Sequence, residues 1–392
     1  MPASEALARR NAIPFLYTRG THYEVGFDIG RTFSGIIHSF LAASKELNNV
    51  FLPLYNTEAG RQVYNETLRS VQTNFPQYVR EIEGTADGAG VPFHKLFLLH
   101  LDDILPNVVK RGGSSTNAPI GCSTIVCNHP GEELLGHTED ALSPTLNHFY
   151  LVSAHVLPEP GLPQGRWKDT EERFTSLCYA GILPGFTMSY NHHGLVYSIN
   201  VVSAATLVAG KTPRMFLTRA LLSVEHFVQA QQVLRDKGCG AAEGFSVNMT
   251  FLLQEGDRLF HNAEVGPALP SAAAESQLNI LTVSPGESFV HTNKYLRLAV
   301  PEIKGSMMES SDCRHKAISA HGEPENYGSI VNMLGDQTDP KFTVFQDKTD
   351  HVTTLAVGIF DCVKRTWSIY SDNPKKTEPI VVLPIQLKTD KK

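Results

Sequence analysis

The residues whose types and spacing could do chemistry surround one pair, Gly121–Cys122. A polar run at 111–117 precedes the pair, and small and β-branched residues follow it to Cys127, which predicts an exposed loop that leads into a buried strand. The Cys122 thiol could attack the carbonyl of Gly121, because glycine tolerates the strained backbone that this attack requires. Hydrolysis of the resulting thioester would release a chain that begins with Cys122.

A cysteine at a new N-terminus would supply a nucleophile and a base from a single residue. The thiol is the nucleophile, and the α-amine has an ordinary pKa of about 7.7–8.0, close to working pH. This N-terminal variant of nucleophile activation needs no separate histidine. A glycine–cysteine pair beside a strand is more often just a buried cysteine, so other residues have to support the catalytic interpretation.

An acidic residue is predicted to lie near the pair. The predicted strands 122–127 and 133–138 would form a hairpin, which brings Asp140 close to Cys122. The carboxylate of Asp140 could hold the Cys122 amine or a substrate ammonium. The alternative is an acid that only stabilises a turn.

Two asparagines are further candidates. Asn200 ends an apolar run, and a buried amide must find hydrogen-bond partners. Asn293 follows an apolar stretch and could donate to a developing oxyanion, a role worth about 3–4 kcal/mol in hydrolases. A strand-end cap is the alternative for Asn293.

Two pairs of adjacent residues are not predicted to form sites. Asp102 and Asp103 fall in a helical pattern and would point in different directions, so we expect solvated or capping side chains. His192 and His193 would point to opposite sides of an extended chain, which favours a polar turn over a metal pair.

Composition excludes several classes of protein. Hydrophobic residues make up 42% and charged residues 19% of the 392 positions, as in a globular protein. The net charge of −6 and a pI near 6.2 argue against a nucleic-acid or anionic-membrane surface. No apolar run reaches the roughly 18 residues of a membrane span, and the start of the sequence has no signal-peptide pattern. With six sparse cysteines, this predicts a cytoplasmic protein with reduced thiols.

The order of predicted elements indicates the fold class. Residues 31–110 are mostly helical in pattern, after a short edge strand at 13–17 and a helix capped by Thr21. From Cys122 onward, strands are predicted at 122–127, 133–138, 149–156, 176–180, 186–190, 195–202, 245–253, 258–264, 278–283, 352–360 and 366–371. Helices are predicted at 212–222, 224–237 and 311–321. A helical first third and a strand-rich remainder predict an α+β layered fold.

Together these pieces resemble the acyltransferase family of penicillin biosynthesis, a branch of the N-terminal-nucleophile hydrolases. The segments that carry the resemblance are, in order, Gly20 to Gly30 with Glu24, Val25 and Gly26, then Glu83 to Gly90, then Gly121-Cys122-Ser123, then Thr138-Glu139-Asp140, then Val290-His291-Thr292-Asn293. The resemblance implies a four-layer αββα sandwich and one structural domain. It also implies self-cleavage into a helix-rich fragment, 1–121, and a catalytic fragment, 122–392, which stay partners.

The opening segment 17–27 and the Gly121–Cys122 junction resemble more closely the members of that family that hydrolyse N-β-alanyl amines. This implies that β-alanyl-dopamine yields β-alanine and dopamine, and that carcinine yields β-alanine and histamine, with no metal or organic cofactor. Cys122 would be the nucleophile and Asp140 would orient its amine. Asn293, with Asn200 beside it, would stabilise the oxyanion.

Two departures from the family pattern concern substrate binding. Glu139 stands where the family typically has tryptophan, and no arginine occurs near 343–346, where a family arginine is expected. An acid beside the nucleophile suits a substrate with a free ammonium, so Glu139, with Thr138, is predicted to bind the substrate. Two alternatives remain: an acyl-coenzyme A-dependent amine acyltransferase, which needs a basic cleft, and an uncleaved binding module.

Overall fold

Two β-sheets packed face to face form the centre of the molecule, and helices cover their outer faces. The structure, a computed structural model, describes residues 9–110, 121–163, 165–168, 170–269, 274–347 and 352–388. Within these residues the layers run helix, sheet, sheet, helix. The predicted four-layer α+β fold is therefore confirmed.

The helices of the first third cover one sheet. They are α1 His22–Thr32, α2 Ser34–Ala43, a π-helical turn Leu47–Phe51 that continues into α3 Leu52–Tyr55, α4 Glu58–Asn74, α5 Pro76–Ala89, α6 Phe93–Leu99 and α7 Ile104–Lys110. Thr21 caps α1 with a complete capping box, as the sequence predicts. Helices α1 and α5 pack with their backbones nearly in contact, because Gly26 and Gly30 face α5 while Gly84 and Gly88 face α1.

The larger sheet has eight strands in the order β1-β4-β5-β6-β7-β8-β9-β10. The strands are β1 Phe15–Gly20, β4 Phe149–Val156, β5 Glu172–Tyr179, β6 Ser189–Asn191, β7 Leu195–Val202, β8 Gly244–Phe251, β9 Phe260–Gly266 and β10 Gln277–Val283. Strand β1 lies at the edge, as predicted, and pairs in parallel with β4, whereas the other pairs are antiparallel.

The smaller sheet has six antiparallel strands in the order β11-β2-β3-β12-β13-β14. They are β2 Ser123–His129, β3 Glu132–Leu142, β11 Glu287–His291, β12 Val352–Asp361, β13 Thr366–Tyr370 and β14 Val381–Pro384. Helices α10 Ser306–Ser319 and α11 Tyr327–Leu334 cover its outer face, and α8 Arg214–Leu221 and α9 Phe227–Arg235 follow β7.

Strand β2 shows why these strands read as almost continuously apolar. Ile125 belongs to the core beneath α10 and α11, whereas Val126 belongs to the main core. Thr124, on the same face of the strand as Val126, contacts Ser198 of the opposite sheet. Both faces of β2 are thus buried, as is every position from 123 to 128.

The predicted elements agree with these bounds to within a few residues, and β4 and β7 have the predicted ends. The sequence analysis did not predict β11, β14 or α11. Each is short, and β14 is a partly exposed edge strand, so hydrophobic periodicity gives little signal there. In the described part of the chain, no helix combines the length and apolar character needed to cross a membrane.

Candidate active site

Cys122 lies at the start of β2, between the two sheets, and is 3% exposed. It is two residues before Thr124, so its side chain lies on the strand face that looks towards the opposite sheet. There it forms part of the wall of a cavity of about 170 Å³. The predicted nucleophile is therefore buried in protein but open to a space for a small molecule.

Three side chains from distant parts of the sequence hold the backbone of Cys122. Its nitrogen donates to Asn293 Oδ1 at 2.8 Å. Its carbonyl oxygen accepts from Asn200 Nδ2 at 3.1 Å and from Arg314 Nη1 at 2.7 Å. Both asparagines predicted from the sequence thus contact Cys122.

Asn200 is part of a chain of buried amides across the larger sheet. Its Oδ1 accepts from Asn248 Nδ2 at 2.7 Å, and Asn248 Oδ1 accepts from Asn262 Nδ2 at 2.7 Å. The hydroxyl of Thr124 also donates to Asn200 Oδ1, at 2.9 Å. This network fixes the Asn200 amide with its Nδ2 towards Cys122 and provides the partners that the sequence required.

Arg314, on α10, is a component of the site that the sequence analysis missed. Its guanidinium donates to Cys122 O, to Ser123 Oγ at 3.0 Å and to Asn293 Oδ1 at 2.6 Å. The side chain is completely buried, and burial lowers its pKa. The sequence expectation looked for an arginine near 343–346, but a helix before that segment supplies one. A single arginine in a helical pattern gives no sequence signal for this position.

Glu139, on β3, has a carboxylate close to the sulfur of Cys122. Its Oε2 lies 3.8 Å from Cys122 Sγ and 3.0 Å from His137 Nε2. Its Oε1 accepts from the hydroxyl of Tyr179, a residue that the sequence did not indicate. Burial, followed by the charge of Glu139, raises the pKa of the Cys122 thiol well above its ordinary value. The thiol is therefore neutral at rest and needs a base to become a nucleophile.

Asp140 and Thr138 are differently placed from Glu139. Both Asp140 oxygens are engaged, by Thr354 Oγ1 at 2.6 Å and by Gln346 Nε2 at 3.0 Å. Burial raises the Asp140 pKa to about 7. Asp140 lines the cavity, but the Cys122 nitrogen donates its hydrogen bond to Asn293. The role of Asp140 in orienting the Cys122 amine therefore stays a prediction.

Thr138 stabilises the start of β2. Its hydroxyl accepts from the backbone N–H of Ser123 at 3.0 Å, and it is fully buried. It is not among the described residues that line the cavity, in contrast to Glu139. The structure thus gives Thr138 a supporting position behind the nucleophile, and its predicted contact with the substrate stays a prediction.

The side chains of Asp102 and Asp103 do not diverge as expected. The two acids lie in the turn between α6 and α7, not in a helix, and both carboxylates contact Arg214. Arg214 Nη2 donates to Asp102 at 2.8 Å, and Nη1 donates to Asp103 at 2.7 Å. All three side chains line the same cavity as Cys122. By contrast, His192 and His193 lie in a turn, as expected.

Two groups of described side chains have metal-ligand atoms within 4.8 Å of one another. They are Cys122 with His137 and Glu139, and Asp102 with Asp103 and Glu243. A metal in the first group would occupy the thiol that a cysteine nucleophile needs. Arg214 lies within the second group and opposes a cation there.

Comparisons with known proteins assign the chain to a family. The family model of the acyl-coenzyme A:6-aminopenicillanic acid acyl-transferases matches residues 127–376, which is more than half of the chain. The chain belongs to this family. The matched residues begin just after Cys122, so the prediction that Cys122 is the nucleophile rests on the sequence and on the geometry described above.

One relative is similar along its whole length. The β-alanyl-dopamine/carcinine hydrolase of Drosophila melanogaster is 51% identical over 391 residues, which cover 99% of this chain and 100% of that protein. Among solved structures, a mutant of the conjugated bile acid hydrolase from Clostridium perfringens is 10% identical. The match covers 69% of this chain and 99% of that chain, with a TM-score of 0.36.

Proposed function

We propose that this protein is a self-processing cysteine amidase that hydrolyses N-β-alanyl amines, with β-alanyl-dopamine and carcinine as substrates. The observation that carries the proposal is the position of Cys122, directly after Gly121, with its sulfur in a cavity and 3.8 Å from Glu139 Oε2. The hydrolase from Drosophila melanogaster, 51% identical, provides the substrate class.

Maturation would begin with attack of Cys122 Sγ on the carbonyl carbon of Gly121. The C–S bond forms, the Gly121–Cys122 C–N bond breaks, and the thiol proton passes to the released nitrogen. Water then hydrolyses the thioester, which frees the thiol and leaves a carboxylate on Gly121. Asn293 and Arg314 hold Cys122 at its nitrogen and its carbonyl oxygen, so the sulfur is presented in one orientation.

Catalysis would use the same atoms in the mature chain. The α-amine takes the thiol proton, Sγ attacks the β-alanyl carbonyl, and the proton passes to the departing amine as its C–N bond breaks. Water, deprotonated by the same amine, cleaves the thioester and releases β-alanine. A nearby base is required because the thiol pKa is raised.

Asn293 and Asn200 are the proposed donors to the oxyanion. Asn293 Nδ2 donates to Val201 O at 2.9 Å, and Val201 is among the residues that line the cavity. The amide of Asn200 is fixed by Thr124 and Asn248. Preorganised donors of this kind contribute most where water is excluded.

Glu139 is the proposed partner of the substrate ammonium. In a β-alanyl group the ammonium nitrogen is three bonds from the carbonyl carbon, so it lies close to the sulfur that attacks. Glu139 receives hydrogen bonds from Tyr179 and His137, and no arginine or lysine in the described residues forms an ion pair with it. A buried carboxylate in this state favours a cationic ligand.

The two fragments, 1–121 and 122–392, would stay together after cleavage. Strand β1 of the first fragment is hydrogen-bonded to β4 of the second, from Phe15–Leu151 to Gly20–Val156. Phe33, the C-cap residue of α1 in the first fragment, stacks on Tyr150 of the second fragment, with ring centroids 3.8 Å apart. Cleavage would therefore change the terminus at Cys122 without separating the layers.

All six cysteines are free thiols. Free, mostly buried thiols fit a reducing compartment, which supports cytoplasmic placement.

The acyltransferase alternative keeps the nucleophile and changes the acceptor. Coenzyme A carries several phosphates, and its cleft should be basic. Among the described residues that line the cavity, four are acidic, Asp102, Asp103, Glu139 and Asp140, and two are basic, Arg214 and Lys304. This excess of acidic residues favours hydrolysis, which releases the amine, over acyl transfer from coenzyme A. Transfer from acetyl-coenzyme A to dopamine, measured beside β-alanyl-dopamine hydrolysis, tests the alternative directly.

The first experiment is a denaturing gel with intact mass for the wild type and Cys122→Ala. Two fragments of roughly 13 and 30 kDa, the larger with a free Cys122, are expected from the wild type alone. A single 43.1 kDa chain in both samples would remove the catalytic amine and favour the binding-module alternative.

The second experiment measures hydrolysis of β-alanyl-dopamine and propionyl-dopamine, which differ in the ammonium. The Glu139→Gln variant should raise KM for the β-alanyl substrate only, because it removes the charge and keeps the shape. An equal KM for β-alanyl-dopamine in the wild type and Glu139→Gln would refute this role of Glu139.

A further inference from the structure

The cavity contains a second polar cluster, formed by Asp102, Asp103 and Arg214 with Glu243 behind them. Its carboxylate oxygens lie within 4.8 Å of one another. Asp103 also lines a smaller adjoining cavity, together with Glu243. The cluster is therefore accessible from the space that holds the substrate and is not used in the chemistry proposed above.

Several polar atoms of the cluster lack partners. In the described part of the chain, Glu243 Oε1 and Arg214 Nε form no hydrogen bond. Both residues are buried, with exposed fractions of only 1% and 2%. Arg214 Nε lies 4.0 Å from Glu243 Oε2, beyond hydrogen-bond distance. Buried polar groups are almost always paired, so these atoms need a partner that the described protein groups do not supply.

Asp103 offers the most accessible free acceptor. Arg214 engages its Oδ2, and within the residues that the structure describes no hydrogen bond reaches Oδ1. The Asp103 side chain keeps 25% of its surface exposed, whereas Arg214 keeps 2%. Asp102 is less free, because its second oxygen accepts from the Asp103 backbone at 2.9 Å.

The ligand that fits both donates and accepts hydrogen bonds. Asp103 needs a donor, while the neighbouring guanidinium of Arg214 needs an acceptor and repels a cation. Burial raises the pKa of Glu243 to about 8, so near neutral pH it carries a proton rather than a second negative charge. A simple ammonium suits Glu139 better, since no guanidinium among the described residues forms an ion pair with its carboxylate.

The walls around this cluster suit a flat ring. Phe186, Ile182, Met215 and Met307 line the cavity, and the Arg214 guanidinium lies 6.0 Å from the centroid of the Phe186 ring. A ring that carries hydroxyl or N–H groups could pack on these apolar side chains and extend its polar edge to the carboxylate.

We propose that Asp103, positioned by Arg214, binds the ring hydroxyl or ring N–H groups of the amine half of the substrate. This subsite rests on the proposed function and adds the part of the substrate that leaves. A catechol and an imidazole share the required chemistry, because each has a ring-borne donor and acceptor. The site thus explains how one cavity accepts both amines.

The test compares β-alanyl-dopamine with β-alanyl-phenethylamine, which lacks the hydroxyls, on the processed wild type and Asp103→Asn. The wild type should prefer the catechol by about tenfold or more in kcat/KM, mainly through KM, and Asp103→Asn should lose most of that preference. The preference for β-alanyl-dopamine over propionyl-dopamine should stay in Asp103→Asn and fall in Glu139→Gln.

Asp257→Asn is a matched control. Asp257 is an exposed aspartate in the turn between β8 and β9. It lies beyond the end of β8 that is opposite to Glu243 of the cluster. This control should keep the catechol preference. Thermal melting and the fragment pattern on a gel check that Asp103→Asn is folded and processed.

Three outcomes would overturn the inference. The first is an equal wild-type KM for β-alanyl-dopamine and β-alanyl-phenethylamine, and the second is an unchanged catechol preference in Asp103→Asn. The third is that Asp103→Asn instead loses the preference for β-alanyl-dopamine over propionyl-dopamine. The absence of any β-alanyl amide hydrolysis by the wild type would instead contradict the proposed function. Calorimetric binding of dopamine against phenethylamine to the wild type and Asp103→Asn needs no turnover and tests the subsite in that case. Equal affinities would then count against it.

Discussion

The side-chain oxygen of Asn293 accepts a hydrogen bond from the backbone nitrogen of Cys122 at 2.8 Å, although 171 positions separate the two residues. In the proposed mature enzyme this nitrogen becomes the catalytic α-amine. Asn293 would then contact the base through Oδ1 and the oxyanion through Nδ2. One amide would thus align both partners of the reaction.

This double role predicts a large effect for Asn293→Ala. We expect kcat to fall about 10²–10³-fold, because the variant loses an oxyanion donor and the acceptor that orients the amine. Steady-state kinetics of the processed fraction measures the change. Asn65→Ala, at an exposed position of α4, is the control and should behave as the wild type. A normal kcat in Asn293→Ala would exclude both roles.

Gly121→Ala should slow self-cleavage. A Cβ at this position would lie 2.3 Å from Arg314 Nη2 and 2.6 Å from Asn293 Oδ1, so the added methyl must displace the two groups that hold Cys122. We expect the intact chain to accumulate, as followed by gel densitometry after expression. Cleavage at the wild-type rate would mean that this arrangement does not control processing.

The contact between α1 and α5 predicts a strong dependence on glycine. In Gly84→Ala the new methyl would lie 2.1 Å from the carbonyl oxygen of Tyr23, and backbone cannot move aside as a side chain can. We expect a loss of about 3 kcal/mol or more, measured by chemical denaturation. Gly35→Ala is the matched control, because nothing lies within 4 Å of its new methyl and alanine favours helix. Equal stabilities for the two variants would contradict the close packing.

Asp140 predicts a pH-dependent stability. Its pKa is raised by burial from 3.8 to about 7, so its contribution to folding is complete below about pH 4 and is lost as the pH rises through about 7. Relative to Asp140→Asn, the wild-type melting temperature should therefore fall between pH 4 and 8. Both chains should carry Cys122→Ala, which keeps them uncleaved. Parallel pH profiles would show that Asp140 ionises normally.

The sequence by itself indicated most of the local elements and predicted which residue is the nucleophile. The Thr21 cap and the strand β7 follow from short-range patterns whose physics acts within a few residues. The motif order also indicated the family, and the isolated polar residues Asn200 and Asn293 were identified as groups that needed partners.

Only the tertiary structure decided which distant side chains meet. Arg314 and Tyr179 reach the site because helix α10 and strand β5 pack beside β2 and β3, and neither position carries a local signal. Asp102 and Asp103 converge because Arg214 draws both carboxylates together in a turn, against the divergence expected on a helix. Such contacts depend on sheet pairing and layer packing over long sequence separations, and these are set by burial of the whole chain and not by neighbouring residues.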